Sequence, residues 1–331
     1  GRVLSRAVIA SRCSPHFHSS AMDGYAVRSV ETLGAEPTNP VLLQVGEQAQ
    51  YCDTGDPIPL WADAVIPIEN IESLNLHGQI CSVPDVRKAA SIRIRAAVTA
   101  WSHIRPMGED IVTSQLILAA GTMLRPADLG AAAAGGASRL FVARKPLVGI
   151  LPTGSELVPI GQDPKTGELT EFNSVVLAAQ VQDWGGMARR YQTLSDDFNL
   201  ICNSLQTAAN ECDLLLINAG SSAGREDFTS QAIEKLGKVL VHGVAVRPGH
   251  PVVIGLLKCD LTRQDGREWI PVIGVPGYPV SAALTAEIFV QPLLREWLGF
   301  PTGEEPVEVE ATLTRKVQSP AGDDDYLRVV L

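Results

Sequence analysis

A chain of 331 residues with 37 acidic against 27 basic side chains has a formal charge of −10, which argues against general nucleic-acid binding, because such a face needs Lys and Arg to displace counterions from phosphate. Its 45% apolar content suits a globular protein, and at roughly 100–200 residues per domain the length predicts two or three domains with cores of their own. No stretch of about 18 residues is both apolar and uncharged; the richest, 116–136, is broken by Arg125 and Asp128, so neither a membrane span nor a signal peptide is expected.

Before residue 146, strand-like pieces at 41–45 and 64–68 are separated by Pro, Gly and Asn, which predicts a mostly β domain. A helix rich in small residues is expected at 127–136, able to pack closely on a neighbour. From 146 onward short apolar runs alternate with segments of helical spacing. Strands are predicted at 146–151, 187–193, 213–218 and 272–275. Helices are predicted at 173–184, with an Asn-Ser start suited to capping and Gly185-Gly186 as a stop, at 197–210, at 224–236, and from the turn after 275 to about 298. That alternation predicts a doubly wound α/β domain. From 307 the alternation Val-Glu-Val-Glu-Ala-Thr-Leu-Thr opens a new β unit, which at about 25 residues is too short to bury a core alone. The first residue, Gly, and the apolar run 327–331 make both ends look like the interior of a longer chain. Cys13, Cys52, Cys81, Cys202, Cys212 and Cys259 form no C-x-x-C pair and no zinc pattern with His, and they read as reduced thiols of a cytoplasmic protein.

Ligands of a doubly wound sheet bind at the loops that leave the carboxyl ends of its strands. In Pro152-Thr-Gly-Ser-Glu-Leu157, Gly154 lets the backbone approach a ligand and Glu156 offers a carboxylate, although alone the string also reads as an ordinary turn. In Asn218-Ala-Gly-Ser-Ser-Ala-Gly-Arg-Glu-Asp227, the small residues Gly220, Ser221 and Ser222 let backbone N–H groups converge on a phosphate at a helix start. Asp227 there reads either as a ligand to a hard cation bridging that phosphate or as a plain capping carboxylate. The loop has neither the P-loop nor the G-x-G-x-x-G pattern. Arg247-Pro-Gly-His250-Pro reads as an oxyanion grip or as a rigid surface turn. Gly274-Val-Pro-Gly-Tyr-Pro-Val-Ser281 presents N–H groups at a helix start, with Pro276, Gly277 and Ser281 as candidates. In the first half, the turns around Asp23 (19–27), Thr54 (53–59) and Arg105 (105–110) each pass alone as structural loops.

Taken in order, these strings resemble the MoeA family, the molybdopterin molybdenumtransferases, whose eukaryotic relatives include the gephyrin E domain. Ser20-Ala-Met-Asp-Gly-Tyr-Ala-Val27 is similar to the family's most distinctive signature. Thr54-Gly-Asp-Pro-Ile-Pro59 resembles T-G-A-P-x-P, residues 105–111 resemble R-x-x-G-E-D-I, and 153–157 resemble T-G-D-E-L. Residues 218–227 are similar to S-G-G-V-S-x-G-x-x-D, 246–251 to the K-P-G-K-P string, and 274–282 to G-L-P-G-N-P-V-S-A.

The resemblance implies an α/β multidomain chain: a connecting domain from 1–17 and 108–145, a small mostly β domain at 18–107, a molybdopterin-binding α/β domain at 146–302, and the start of a terminal β-barrel at 303–331. It implies an elongated homodimer with each active site in a cleft between subunits, and a Mg²⁺-dependent transfer of molybdate into adenylylated molybdopterin with release of AMP. Carried over by motif, Asp227 and Asp196 are candidates for metal and nucleotide, with Glu156 and Gly154 lining the same cleft. Arg247, His250 and Arg328 would hold molybdate, and Asp23 and Thr54 would reach the partner subunit's cleft. The chain departs from the family at Arg247 and His250, which replace two lysines, and at Ser155, Ala219 and Tyr278. His250 in place of a permanently charged lysine predicts weaker or pH-dependent oxyanion binding. Two other readings use the same residues: a non-catalytic sensor or carrier of molybdate or the cofactor, and the related adenylyltransferase, which the N-terminal signature disfavours.

Overall fold

The computed structural model describes residues 2–81, 85–219, 228–260, 263, 265–300, 309–319 and 321–329. The chain forms two compact units, one from Arg6–Phe141 and one from Gly1–Ser5 with Val142–Leu331.

The first unit is built on two three-stranded antiparallel sheets. In one, β1 (Gly24–Val27) lies between β3 (Ala49–Cys52) and β4 (Ala64–Pro67). In the other, β6 (Ser91–Ile94) lies between β2 (Val41–Gln44) and β5 (Ile71–Leu74). Tyr25, Val27, Leu43, Ile66, Ile92 and Ile94 meet in their shared core. Gly24 is required by close approach, since a Cβ there would lie 2.1 Å from the carbonyl oxygen of Ile66. The helix expected at 127–136 is α1 (Pro126–Ala134), opened by Pro126 and by the Asp128 carboxylate accepting the Arg125 N–H at 2.8 Å.

The second unit holds a six-stranded sheet in the order β8 (Met187–Arg190), β7 (Leu147–Thr153), β9 (Leu214–Ala219), β12 (Trp269–Val275), β11 (Val253–Lys258), β10 (Gly237–His242). The first four are parallel, and β11 and β10 close the edge as antiparallel strands. Helices cover both faces. Leu215 and Ile217 of β9 pack with Ile201, Leu205 and Ile233 from α3 (Phe198–Glu211) and α4 (Phe228–Leu236). Leu214 and Leu216 pack with residues of α2 (Asn173–Asp183), α5 (Pro279–Thr285) and α6 (Gln291–Trp297). A strand buried on both faces must be apolar at successive positions, which explains why 213–218 reads so plainly. In α3 the buried residues Ile201, Cys202, Leu205, Ala208 and Ala209 form one stripe, and Asp197 caps the helix by accepting the Leu200 N–H at 2.9 Å.

Two expectations are corrected. The 237–258 region, for which no strands are predicted, forms β10 and β11. The single helix expected to run to 298 is interrupted by a π turn at Ala286–Val290 just before Pro292, whose missing N–H cannot continue the ladder. Among the described residues of 309–329, the segment expected to open a β-barrel forms one short strand, Asp324–Asp325, paired in parallel with Val246–Arg247. No described helix is long and apolar enough to cross a membrane.

Candidate functional site

From β7 the chain runs through α2 to the edge strand β8, and from β8 it crosses back through α3 to β9 on the other side of β7. The carboxyl ends of β7 and β9 therefore flank the switch point of the sheet, where such folds bind ligands. Register puts Thr153 beside Ala219 and Asn218 beside Val275. The carboxyl ends of β7, β9 and β12 thus lie side by side along one sheet edge.

Asp196 is held at this edge. The Ser155 N–H donates to its Oδ2 at 3.1 Å, and the Asp196 N–H donates to the Ser155 hydroxyl at 3.0 Å. Ser155, which stands where the family motif has an acid, serves to position the next strand's carboxylate. Asp196 is exposed and Glu156 half-exposed, with the Glu156 carbonyl accepting the Leu169 N–H at 2.8 Å. Gly220, Ser221, Ser222 and Asp227 lie outside the described residues.

Two amides missed by motif reading organise the same edge. Asn218, 3% exposed, donates from Nδ2 to the Pro276 carbonyl at 3.0 Å and accepts from Asn173 Nδ2 at 3.1 Å. Asn173 Nδ2 also donates to the Gly277 carbonyl at 2.7 Å. The expected Asn-Ser cap is corrected here: α2 is capped by Glu171, whose carboxylate accepts the Ser174 N–H at 2.8 Å and hydroxyl at 2.6 Å. Asn173 is thereby directed across the edge toward the Pro276-Gly277 turn, from which α5 starts. Ser281 is buried in that helix, and Tyr278 is exposed at its N-cap.

The Arg247 turn joins the edge from the antiparallel side, since Val253 pairs with Gly274. A Cβ on Gly249, whose φ is +133°, would lie 3.3 Å from Thr285 Oγ1, so the turn rests on α5. His250 is exposed, and its carbonyl accepts the Val244 and Val252 N–H groups, both at 3.0 Å. Arg247 faces the carboxylate of Asp323, and Arg328 is exposed two residues beyond the short ladder's last bonded residue, Tyr326.

In the first unit, Asp23 and Thr54 come together from separate turns. Asp23 Oδ1 accepts both the Thr54 N–H, at 2.7 Å, and the Thr54 hydroxyl, at 2.8 Å. These bonds, the backbone one foremost, hold the Asp23 carboxyl below its ordinary pKa. Beside them Arg87 pairs with Asp53 at 2.8 Å and stacks over Tyr51. In the remaining motif, Arg105 clamps Glu109 at 2.6 Å and Asp110 at 2.5 Å, so that string is a self-contained loop brace.

Comparison with known proteins gives this arrangement a family. One model, the MoeA N-terminal region (domain I and II), matches residues 1–136, and another, a probable molybdopterin binding domain, matches 149–296. Over its full length the chain is 34% identical to molybdopterin molybdenumtransferase 2 of Mycobacterium tuberculosis and covers 81% of that protein. The chain belongs to the MoeA family. It is also 32% identical to the molybdopterin molybdenumtransferase of Synechococcus elongatus, over 88% of this chain and 72% of that one. A crystal structure of a MoeA protein from a Pyrococcus species superposes with a TM-score of 0.74 at 31% identity, over 90% of this chain and 73% of that one. In this MoeA-family chain the motif strings 153–157, 274–282 and 246–251 meet at one sheet edge, and the 20–27 and 54–59 strings meet through Asp23 and Thr54.

Proposed function

We propose that the chain is a molybdopterin molybdenumtransferase of molybdenum cofactor biosynthesis, inserting molybdate into the dithiolene of adenylylated molybdopterin with release of AMP. The observation that carries this reading is the convergence of the Gly154, Pro276 and Arg247 turns at the switch point of the sheet, in a chain with full-length similarity to such transferases. Backbone N–H groups at that edge suit the adenylate phosphate, and Arg247, His250 and Arg328 suit a tetrahedral dianion. Asp196 fits a divalent cation, being exposed and fixed by Ser155 through one carboxylate oxygen. With Asp227 and substrate oxygens it would hold Mg²⁺, which when bound polarises the anhydride. Glu156 would line the same cleft. Asp23 and Thr54 are proposed to serve the site of a second subunit, which makes a homodimer part of the reading.

AMP release from adenylyl-molybdopterin, with and without molybdate, tests the assignment in wild type and Asp227→Ala. Molybdate-dependent release that is lost in the variant is the expected result. Tight pterin binding with no release from wild type would overturn it in favour of a sensor or carrier.

A further inference from the structure

The side chain assigned to hold the oxyanion already has an anionic partner. Arg247 Nε lies 2.5 Å from Asp323 Oδ2, with the arginine side chain 52% and the aspartate 15% exposed. Backbone structure fixes this pairing. The Asp324 N–H donates to the Ala245 carbonyl at 2.8 Å and the Tyr326 N–H to the Arg247 carbonyl at 2.8 Å, in the parallel ladder of Val246–Arg247 with Asp324–Asp325. The ladder brings Asp323 to Arg247 from a position 76 residues along the chain (323 − 247). The backbone of the same turn rests on α5 at Gly249, while the half-exposed guanidinium faces Asp323.

We propose that Asp323 is an affinity-setting residue: an intramolecular carboxylate that competes with the incoming oxyanion for Arg247 and sets how tightly the site takes molybdate. This rests on the assignment of Arg247 as an oxyanion grip. An anion reaching the guanidinium either displaces the carboxylate or shares the cation with it, and in both cases it works against the aspartate's charge. The guanidinium itself favours a dianion over a monoanion, and the carboxylate opposes both, so its effect is on how tightly an oxyanion is held.

Calorimetric titration with sodium molybdate tests this on the full chain, comparing wild type, Asp323→Asn, Asp324→Asn and the pair Arg247→Ala with Arg247→Ala/Asp323→Asn. Asp323→Asn keeps the side-chain shape and leaves the backbone ladder intact. Its Kd for molybdate is expected to fall about two- to fivefold, the scale of a half-exposed charge interaction. Asp324→Asn, which removes the same charge one residue away from an exposed position, is expected to change Kd much less, and without Arg247 the gain from Asp323→Asn should vanish. An unchanged or raised Kd in Asp323→Asn, with wild type binding normally, overturns the competition while leaving the transferase assignment standing. Failure of both wild type and Asp323→Asn to bind molybdate overturns the oxyanion assignment of Arg247, and the competition with it.

Discussion

Replacing Asn218 with Ala removes the amide that ties the carboxyl end of β9 to the turn after β12. Two hydrogen bonds of ordinary length are lost, to the Pro276 carbonyl at 3.0 Å and from Asn173 at 3.1 Å, together with a longer one to Val275 at 3.4 Å. Each bond contributes about 1 kcal/mol net, and a buried carbonyl left unpaired costs about 1–3 kcal/mol, so the loss expected for Asn218→Ala is about 2–4 kcal/mol. Asn218→Asp keeps the shape but turns the donor into an acceptor that faces two carbonyls in a buried position. Burial and those carbonyls raise the introduced carboxyl's pKa above its unfolded value. A raised carboxyl pKa confers stability that is fully present below the unfolded pKa and lost as pH rises through the folded one. Relative to wild type at the same pH, Asn218→Asp is therefore expected to be less impaired at pH 5 than at pH 8, and at pH 8 to be less stable than Asn218→Ala. Urea unfolding followed by circular dichroism reads this order. An Asp variant as stable as the Ala variant at pH 8, or equally impaired at both pH values, would refute the claim that Asn218 acts as a buried donor to this turn.

At the opposite edge of the sheet, Asp213 is 3% exposed and pairs with Arg144 at 2.5 Å and Arg267 at 2.8 Å, and it accepts the Leu147 N–H at 2.7 Å. Burial would raise its pKa, but the Arg144 bonds, the Leu147 N–H and the charges of Arg144 and Arg267 leave it lowered. Asp213→Ala is expected to cost about 2–4 kcal/mol at pH 7, less than a fully buried pair because two of its arginines reach solvent. A lowered pKa means that the contribution is present above the unfolded value and lost as pH falls through the folded one. The gap between wild type and variant in urea unfolding should therefore narrow below about pH 4; a gap that stays constant down to pH 3 would contradict it. In the first unit, Thr54→Val removes the hydroxyl donation to Asp23 but keeps the N–H. Molybdate-dependent AMP release is expected to fall in Thr54→Val, to fall further in Asp23→Ala, and to recover in Thr54→Ser, with thermal stability unchanged throughout. Equal activity in Thr54→Val and wild type would remove Thr54 from the site.

The parallel core of the α/β unit was legible because burial on both faces forces continuous apolar runs, as in Leu214–Ala219, and because α3 carries its stripe at helical spacing. β10 was hard to read because it closes the sheet at an edge, is half-buried or exposed along its length and is broken by Lys238 and His242, whereas β11 carries the apolar run Val252–Leu257 and was readable as a strand. Pro292 was visible in the sequence, but the π turn that accommodates it depends on packing against β12 and α2. The Gly154, Pro276 and Arg247 turns, picked out by motif order, lie along one sheet edge. Motif order did not locate Asn173, because an Asn at a helix start has a local use as a cap, and only the fold shows that Glu171 has taken that use.

The cations of the α/β unit are used differently at its two ends. Arg144, Arg263 and Arg267 gather at the amino edge, where Asp213 faces all three, and Arg263 is 5% exposed and further fixed by Asp265, whose carboxyl is lowered to about 2, foremost by the Arg263 bond. Those cations are committed to structure. At the carboxyl edge, by contrast, Arg247 is half exposed and paired, among the described residues, with Asp323 alone, so under the proposed reading the balance between Arg247 and its carboxylate is the adjustable element. Changing Asp323 is accordingly expected to move oxyanion affinity, whereas changing Asp213 moves stability.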